Sequence, residues 1–170
     1  KQPNTGIKRR KKMRKIDKVI VHCTGTKEGQ DFHVSDIDRW HRERGFKCIG
    51  YHYLITLDGS VERGRKDAEV GAHCKGQNAN SIGVCYVGGL DRNGKAKDTR
   101  TEAQKDALWD LLFLLHQQYP NSKIYGHRDF AKKDCPCFDA TTTYEPISEN
   151  WALLYRAGGT IPLRPSEDAE

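Results

Sequence analysis

The sequence predicts one α/β domain, with a central mixed β-sheet of about five strands flanked by helices. Its length of 170 residues suits a single domain and leaves little room for a second. Short β-branched segments alternate with helical segments along the chain, and neither type forms a long uninterrupted run. Functional side chains are therefore expected at strand ends and in the loops that follow them, at one edge of the sheet.

Five segments have the short, β-branched or aromatic character of strands. A hairpin turn at Asp58 and Gly59 joins the second segment to the third. The Gly- and Asn-rich residues 69–80 and the irregular residues 126–139 are predicted to be loops. The predicted strands are residues 17–23, 50–56, a short stretch near Val61, 81–87 and 123–125.

Helices are predicted from capping residues and from apolar side chains at helical spacing. The first helix covers residues 35–44, with Ser35 as its N-cap. The second begins after Thr101, which forms a capping box with Gln104. A last helical piece is expected around residues 150–156. The predicted inward face of the second helix consists of Ala103, Ala107, Leu108, Leu111, Leu112, Leu114 and Leu115.

The positive charge of the chain is concentrated at its N-terminus. Residues 1–15 contain eight Lys or Arg and no acid, whereas the rest of the chain has 21 basic and 23 acidic residues. A block of one charge sign predicts a disordered arm, which either binds an anionic polymer or is simply a solvated tail. The chain is thus divided into this arm, a globular domain over residues 16–157 and a tail over residues 158–170.

The sequence excludes a membrane-spanning helix, because no stretch approaches the roughly 20 apolar residues that one requires. No signal peptide is visible, so the cellular location stays open, and the domain is expected to be a monomer.

The six cysteines do not require disulfides, since a chain of this length can build a core without them. Cys23 and Cys85 lie in apolar strands and are expected to pack in the core.

Three side chains are candidates for a metal site. His22 lies near the end of the first strand, His127 directly follows the last strand, and Cys135 comes eight residues later. A catalytic zinc ion needs three such ligands and one open position. Spacing alone leaves the alternative open, because a histidine on a strand is more often a hydrogen-bonded structural residue.

Several motifs occur together, in order, from about residue 16 to residue 144. On these motifs the chain resembles the type 2 N-acetylmuramoyl-L-alanine amidases, in particular their small phage-lysozyme branch. The animal peptidoglycan recognition proteins share this fold and motif order. The motifs are Val-His-Cys-Thr at 21–24, Trp-His at 40–41, Gly-Tyr-His-Tyr at 50–53, Val-Gly-Ala-His-Cys-Lys-Gly at 70–76, Asn-Ser-Ile-Gly-Val-Cys at 80–85, Gly-His at 126–127 and Lys-Asp-Cys-Pro-Cys-Phe-Asp at 133–139.

The resemblance implies roles for individual positions. The ligands of one zinc ion would be His22, His127 and Cys135. Tyr51 matches the position beside the attacking water, and Lys133 matches a lysine placed two residues before the cysteine ligand. The resemblance also puts His73 and Asn80 near the substrate groove. The chain departs from the phage motif at Cys137, where serine is usual, and this thiol would either compete for the metal or pair with another cysteine.

The resemblance implies that residues 16–157 form a zinc-dependent amidase, which cuts peptidoglycan between N-acetylmuramic acid and L-alanine. A non-catalytic module that binds muropeptides is the alternative, and a regulatory role with a further protein partner is a third class. Among the other histidines, His52 alternates with Tyr51 and is expected on the other side of the sheet, either in the core or in contact with a site residue. His33, His41 and His116 are expected on the surface or on helix faces.

Overall fold

Two parallel strands form the interior of the sheet and carry the first candidate ligand. In the computed structural model, which describes residues 12–150, β1 (Lys18–Cys23) pairs with β5 (Ser81–Tyr86) on one side and with β7 (Lys123–Gly126) on the other. Every residue of β5 is buried, as are the last five of β1. Because both faces of these strands are covered, the sequence reads as a continuous apolar run rather than an alternating one.

A hairpin completes the main sheet. Strand β3 (Tyr53–Ile55) pairs in parallel with β5 and antiparallel with β4 (Val61–Arg63). Gly59 has a φ of +83° in the connecting turn, which is a conformation that glycine adopts without strain. The strand order is β4-β3-β5-β1-β7, so the predicted mixed sheet of about five strands is confirmed.

A second, two-stranded sheet was not predicted from the sequence. Strand β2 (Thr26–Lys27) pairs in parallel with β6 (Gly89–Leu90), just beyond the ends of β1 and β5. Thr24 joins the segments that follow β1 and β5, because its hydroxyl accepts a hydrogen bond of 2.9 Å from the Gly88 amide. The predicted strand ends at residue 87, whereas the chain resumes pairing at Gly89.

Helix α1 (Val34–Glu43) begins one residue earlier than predicted, and Ser35 is not its cap. The N-cap is His33, whose amide donates to the Asp36 carboxylate over 2.9 Å. His41 lies on a helix face, one of the two places expected for it, and that face is buried. Its ring is buried four residues after the buried Ile37, on the same helix face, and its Nδ1 accepts a hydrogen bond of 2.8 Å from the Gly50 amide.

Helix α2 (Glu102–Gln118) has the predicted capping box, with bonds of 3.0 Å in both directions between Thr101 and Gln104. Its inward face differs from the prediction, since Ala103 and Leu114 are exposed. Gln104 is buried instead and donates to the main-chain carbonyls at the ends of β3 and β5. His116 is buried on the same helix, and its Nδ1 bonds the Ser122 carbonyl at 2.8 Å.

Two short helices, α3 (Ala140–Thr143) and α4 (Glu145–Ser148), cover the edge strand β7. They were not predicted, because each contributes only one buried side chain, Ala140 and Ile147. Most of the expected piece at 150–156 lies outside the described residues, as do residues 1–11 of the arm and the tail. Between residues 12 and 150, no helix has the length and apolarity needed to cross a membrane.

Arg14, near the end of the predicted arm, contacts the domain. Its guanidinium donates to the Asp67 carbonyl over 2.7 Å and to the carbonyls of Asn78 and Ala79 over 3.2 Å each. These bonds fasten the chain just before β1 to the loop that precedes β5. The binding of an anionic polymer by the arm stays a prediction.

His52 lies in the core, as expected. Its Nδ1 accepts a hydrogen bond of 2.9 Å from the Gly83 amide, and its Nε2 lies 2.8 Å from the Glu69 carbonyl. The Gly83 amide and the Glu69 carbonyl together favour a ring with its proton on Nε2, whereas the Arg14 guanidinium, which can only donate, also lies 3.0 Å from that nitrogen. Burial lowers the pKa of His52 to about 4, and the nearby charge of Arg14 also acts in this direction.

This buried histidine predicts an acid-sensitive fold. In the unfolded chain His52 takes up a proton near pH 6.5, whereas in the folded chain it does so only near pH 4. The free energy of unfolding should therefore be highest above pH 6.5 and fall as the pH drops toward 4, by on the order of 3 kcal/mol from this group. Denaturant unfolding of the metal-free protein across this range measures the effect.

The His52→Asn variant should lose part of that pH dependence, because its amide oxygen still accepts from Gly83 but does not titrate. His33→Asn is the matched control. His33 is exposed, and its bond to Glu62 raises its pKa, so its removal should not flatten the acid-side slope. An equal slope in the His52→Asn variant and the wild type would contradict the assignment.

Candidate metal centre and active-site cavity

The three predicted ligands meet at the ends of β1 and β7. The register pairs Val21 with Gly126, so His22 and His127 leave adjacent strands side by side, with ring centroids 4.6 Å apart. Cys135 is brought back by the loop after His127, and its Sγ lies 3.9 Å from His22 Nδ1. One ligand atom from each residue lies within 4.8 Å of the others. The predicted clustering at one edge of the sheet is confirmed.

The spacing and the donor types fit a tetrahedral metal ion. Bond lengths of ~2.05 Å to nitrogen and ~2.3 Å to sulfur put two such ligands about 3.6 Å apart. The distance from His22 Nδ1 to Cys135 Sγ is close to this value. Two imidazoles and one thiolate form a set that suits zinc, and a cavity borders His127 on its open side.

The protonation states also favour ligation. Burial lowers the pKa of His22 well below its usual value, so the ring is neutral. Burial and the charge of Lys133 lower the pKa of His127 in the same direction. The pKa of Cys135 is lowered chiefly by hydrogen bonding to the Cys23 thiol and further by the Cys23 main-chain amide, which lies 3.3 Å from the Cys135 sulfur. Neutral imidazoles and a stabilised thiolate are the forms that bind metal.

The loop that carries Cys135 is held by contacts on both sides. The Arg128 amide donates to the Cys135 carbonyl over 2.8 Å, and the hydroxyl of the buried Tyr86 donates to the Pro136 carbonyl over 2.6 Å. The guanidinium of Arg100 lies over the Phe138 ring, 3.5 Å from its centroid. These contacts fix the position of the sulfur before any metal binds.

Cys137 is not part of the ligand cluster. Its Sγ lies 3.8 Å from Cys23 Sγ, and both residues are free cysteines. Cys23 is buried in the core, as predicted, although its amide also contacts Cys135. The geometry therefore favours the pairing of Cys137 with Cys23 over competition for the metal.

A cavity of about 540 Å³ opens beside the three candidate ligands. No acidic side chain lines it, whereas several basic ones do, so the cavity is suited to an anionic ligand. Asn80 is not part of its wall; instead Asn78 lines it and accepts hydrogen bonds from the amides of His73 and Cys74. The basic and catalytic-candidate side chains on the wall are His41, Arg44, Tyr51, His73, Lys75, His127 and Lys133.

Tyr51 and Lys133 lie on this wall, beside the candidate metal ligands. The Tyr51 ring is half-buried, with its centroid 5.1 Å from that of His22. Burial raises the pKa of its phenol well above the usual value, so the hydroxyl keeps its proton and can donate it in a hydrogen bond. Lys133 is exposed on the opposite loop, where its charge lowers the pKa of both histidine ligands.

His73 contacts a ligand directly, a relation that the sequence did not reveal. Its Nδ1 lies 2.8 Å from His22 Nε2, and its Nε2 lies 3.1 Å from the hydroxyl of Ser81. Burial lowers the pKa of His73 to about 3, so this ring is neutral as well. The two histidines are 51 positions apart, and no local pattern in the sequence marks the contact.

A mixed α/β sheet that ends in a His-His-Cys cluster beside a basic cavity has the donor set and the open space that metal-dependent hydrolases use. The sequence profile of the N-acetylmuramoyl-L-alanine amidase family matches residues 12–138. The endolysin of Enterobacteria phage T3 is 46% identical over 127 residues, which are 75% of this chain and 84% of that protein. The chain therefore belongs to the N-acetylmuramoyl-L-alanine amidase family, and it is an enzyme of that class.

Solved structures have the same fold. The N-acetylmuramoyl-L-alanine amidase LysC from Clostridium intestinale aligns with a TM-score of 0.65 at 27% identity, over 80% of this chain and 85% of LysC. The ectodomain complex of peptidoglycan recognition proteins LCa and LCx, solved with bound tracheal cytotoxin, aligns with a TM-score of 0.64 at 28% identity. That alignment covers 78% of this chain and 82% of the other.

The sulfur of Cys135 faces His22, whereas that of Cys137 faces Cys23. This difference predicts that Cys135 binds the metal and that Cys137 does not. Cys135→Ser should lower the affinity for Zn²⁺ by at least 100-fold, because one of three ligands is lost. Cys137→Ser is the matched control, two residues away, and should stay within about 3-fold of the wild type. Competition with a chromophoric chelator measures both affinities, and equal losses in the two variants would contradict the ligand assignment.

Proposed function

We propose that the protein is a zinc-dependent N-acetylmuramoyl-L-alanine amidase, which hydrolyses the amide bond between N-acetylmuramic acid and L-alanine in peptidoglycan. The observation that carries this proposal is the cluster of His22, His127 and Cys135 beside a cavity that Tyr51 and Lys133 also line. Membership of the amidase family supports the reaction type.

The proposed cofactor is one zinc ion held by the three clustered side chains. When bound, zinc acts as a Lewis acid and lowers the pKa of water toward ~7, which supplies a nucleophile for an unreactive amide. Cys135 contributes a negative charge at this position, and the two neutral imidazoles contribute none. The protein thereby keeps part of the positive charge of the ion available to the substrate.

Tyr51 is proposed to direct protons during the reaction. Because its pKa is raised well above the usual value, the phenol is not a base on its own. It acts through hydrogen bonds, in which its oxygen accepts from the attacking water and its proton is directed to the departing amine of L-alanine. Its ring is half-buried beside that of the candidate ligand His22, with the two ring centroids 5.1 Å apart.

Lys133 is proposed to stabilise the oxyanion that forms when water attacks the amide carbonyl. Lys133 is exposed and lines the cavity on the loop that carries Cys135, and the part of the chain that the structure describes contains no ion-pair partner for it. A cation without a carboxylate partner interacts fully with a developing negative charge. The basic cavity also suits a peptide substrate that carries free carboxylates.

Product analysis tests the reaction. Purified peptidoglycan incubated with the zinc-loaded protein should release peptides that begin with L-alanine, while the glycan strands stay intact, as mass spectrometry detects. A chelator should abolish the release, and added Zn²⁺ should restore it. Cleaved glycosidic bonds, or release that persists in the chelator, would contradict the proposal. Binding without any cleavage would instead support the non-catalytic muropeptide-binding alternative.

The proposed roles predict selective kinetic effects. Tyr51→Phe and Lys133→Ala should each lower kcat by on the order of 100-fold, because each removes one proton-directing or charge-stabilising group. Zinc content should remain at one ion per chain in both variants. Lys132→Ala is the matched control, since Lys132 is a neighbouring exposed lysine outside the cavity wall, and its rate should stay within about 2-fold. Full activity of both cavity variants would reject the assigned roles.

A further inference from the structure

The candidate ligand His22 has two ring nitrogens with different surroundings. Its Nδ1 faces the sulfur of Cys135 at 3.9 Å, which makes this atom the one that would bind the metal. Its Nε2 points into the protein and lies 2.8 Å from His73 Nδ1. His22 is 1% exposed, so water does not replace this partner. A ligating Nδ1 carries no proton, and the proton of neutral His22 must therefore lie on Nε2.

This proton determines the state of the next two groups. Because His22 Nε2 is a donor, His73 Nδ1 must accept, and the proton of neutral His73 must lie on its Nε2. That nitrogen lies 3.1 Å from the Ser81 hydroxyl, which is fully buried and can accept the bond. A single directed chain of hydrogen bonds thus runs from the ligand through His73 to the first residue of β5.

The backbone leaves a fitted space for the His73 ring. A methyl group at Gly83 would lie 2.7 Å from the ring carbon Cγ of His73, and one at Gly71 would lie 2.7 Å from its Cδ2. Both distances are shorter than carbon atoms allow, so a side chain at either glycine would displace the ring. Two glycines on opposite segments therefore fix the ring in the position from which it accepts the proton of His22.

We propose that His73 is a positioning residue, which fixes the tautomer and the ring orientation of His22 for metal binding. This inference rests on the proposed zinc-dependent function. Partners that fix histidine ligands are often carboxylates, which add negative charge to the site. A neutral imidazole orients the ligand without that charge, so a zinc ion with a single thiolate ligand would keep a stronger attraction for the amide carbonyl.

This role differs from the substrate contact that the family resemblance suggests for His73. A substrate contact would affect KM and leave the affinity for zinc unchanged. A positioning residue acts through the ligand, so its loss weakens the metal site in the absence of substrate. The two roles therefore predict different results in the same variants.

The first test compares His73→Phe with His73→Gln. Phenylalanine retains the ring but cannot accept a hydrogen bond, so the affinity for zinc should fall by about 10- to 100-fold. Glutamine offers an oxygen to His22 and an amide to Ser81, and it should recover most of the loss. Chelator competition gives the affinities, and thermal unfolding of the metal-free proteins controls for folding. Unchanged zinc affinity in a folded His73→Phe variant, with a raised KM, would overturn the proposal.

A second test avoids any change to the ring itself. Ser81→Ala removes only the acceptor for His73 Nε2 and should weaken zinc binding by roughly 3- to 10-fold, as expected for one neutral hydrogen bond. In long-range ¹H–¹⁵N spectra of the zinc-loaded wild type, His22 and His73 should both carry their protons on Nε2. A proton on His73 Nδ1 would reject the directed chain. A wild type that binds no zinc would instead reject the proposed function, so the two failures are distinguishable.

Discussion

The parallel pairing of β1 with β7 is the constraint on which the site depends. Parallel strands end at the same edge of the sheet, and the register that aligns Val21 with Gly126 makes His22 and His127 neighbours. A shift of one residue in either strand would move one imidazole to the opposite face. The buried, β-branched residues of these strands therefore support the chemistry indirectly, because they fix the register that brings the ligands together.

The third ligand depends on a loop instead of a strand, and the protein fixes that loop by tertiary contacts. The cysteine sulfur faces a main-chain amide of β1, while Tyr86 and Arg100 hold the residues that follow it. A loop held in this way has little conformational freedom to lose when a metal binds, so more of the binding energy is retained. The exposed Lys133 lies on the same loop, so the contacts that hold Cys135 also fix the main chain near Lys133.

Buried histidines form a connected group that includes the candidate metal ligand His22. His22, His73 and His52 are each less than a tenth exposed, and burial lowers the pKa of all three rings. His52 and His73 have polar partners on both ring nitrogens, and His22 has one on each side as well. The same burial that keeps the ligands ready for metal thus makes the fold sensitive to acid, so one physical cause links the site and the stability of the domain.

The sequence determined the local elements and the identity of the candidate ligands. Short apolar runs indicated the strands, and the Thr101–Gln104 capping box located the start of α2, because such signals depend only on neighbouring residues. Sequence patterns failed where a side chain finds its partner far along the chain. Gln104 turns inward and donates to carbonyls at the ends of β3 and β5, and His116 Nε2 bonds the Asn150 side chain, 34 positions along the chain.

Only the tertiary structure decided how the site is supported. It directed Cys137 toward Cys23 and away from the ligands, and it brought His73 to His22. The sequence names both histidines, but the use of each ring nitrogen is set by the groups that surround it in three dimensions. Local sequence therefore specifies which residues are available for chemistry, whereas packing between distant segments specifies their protonation, orientation and partners.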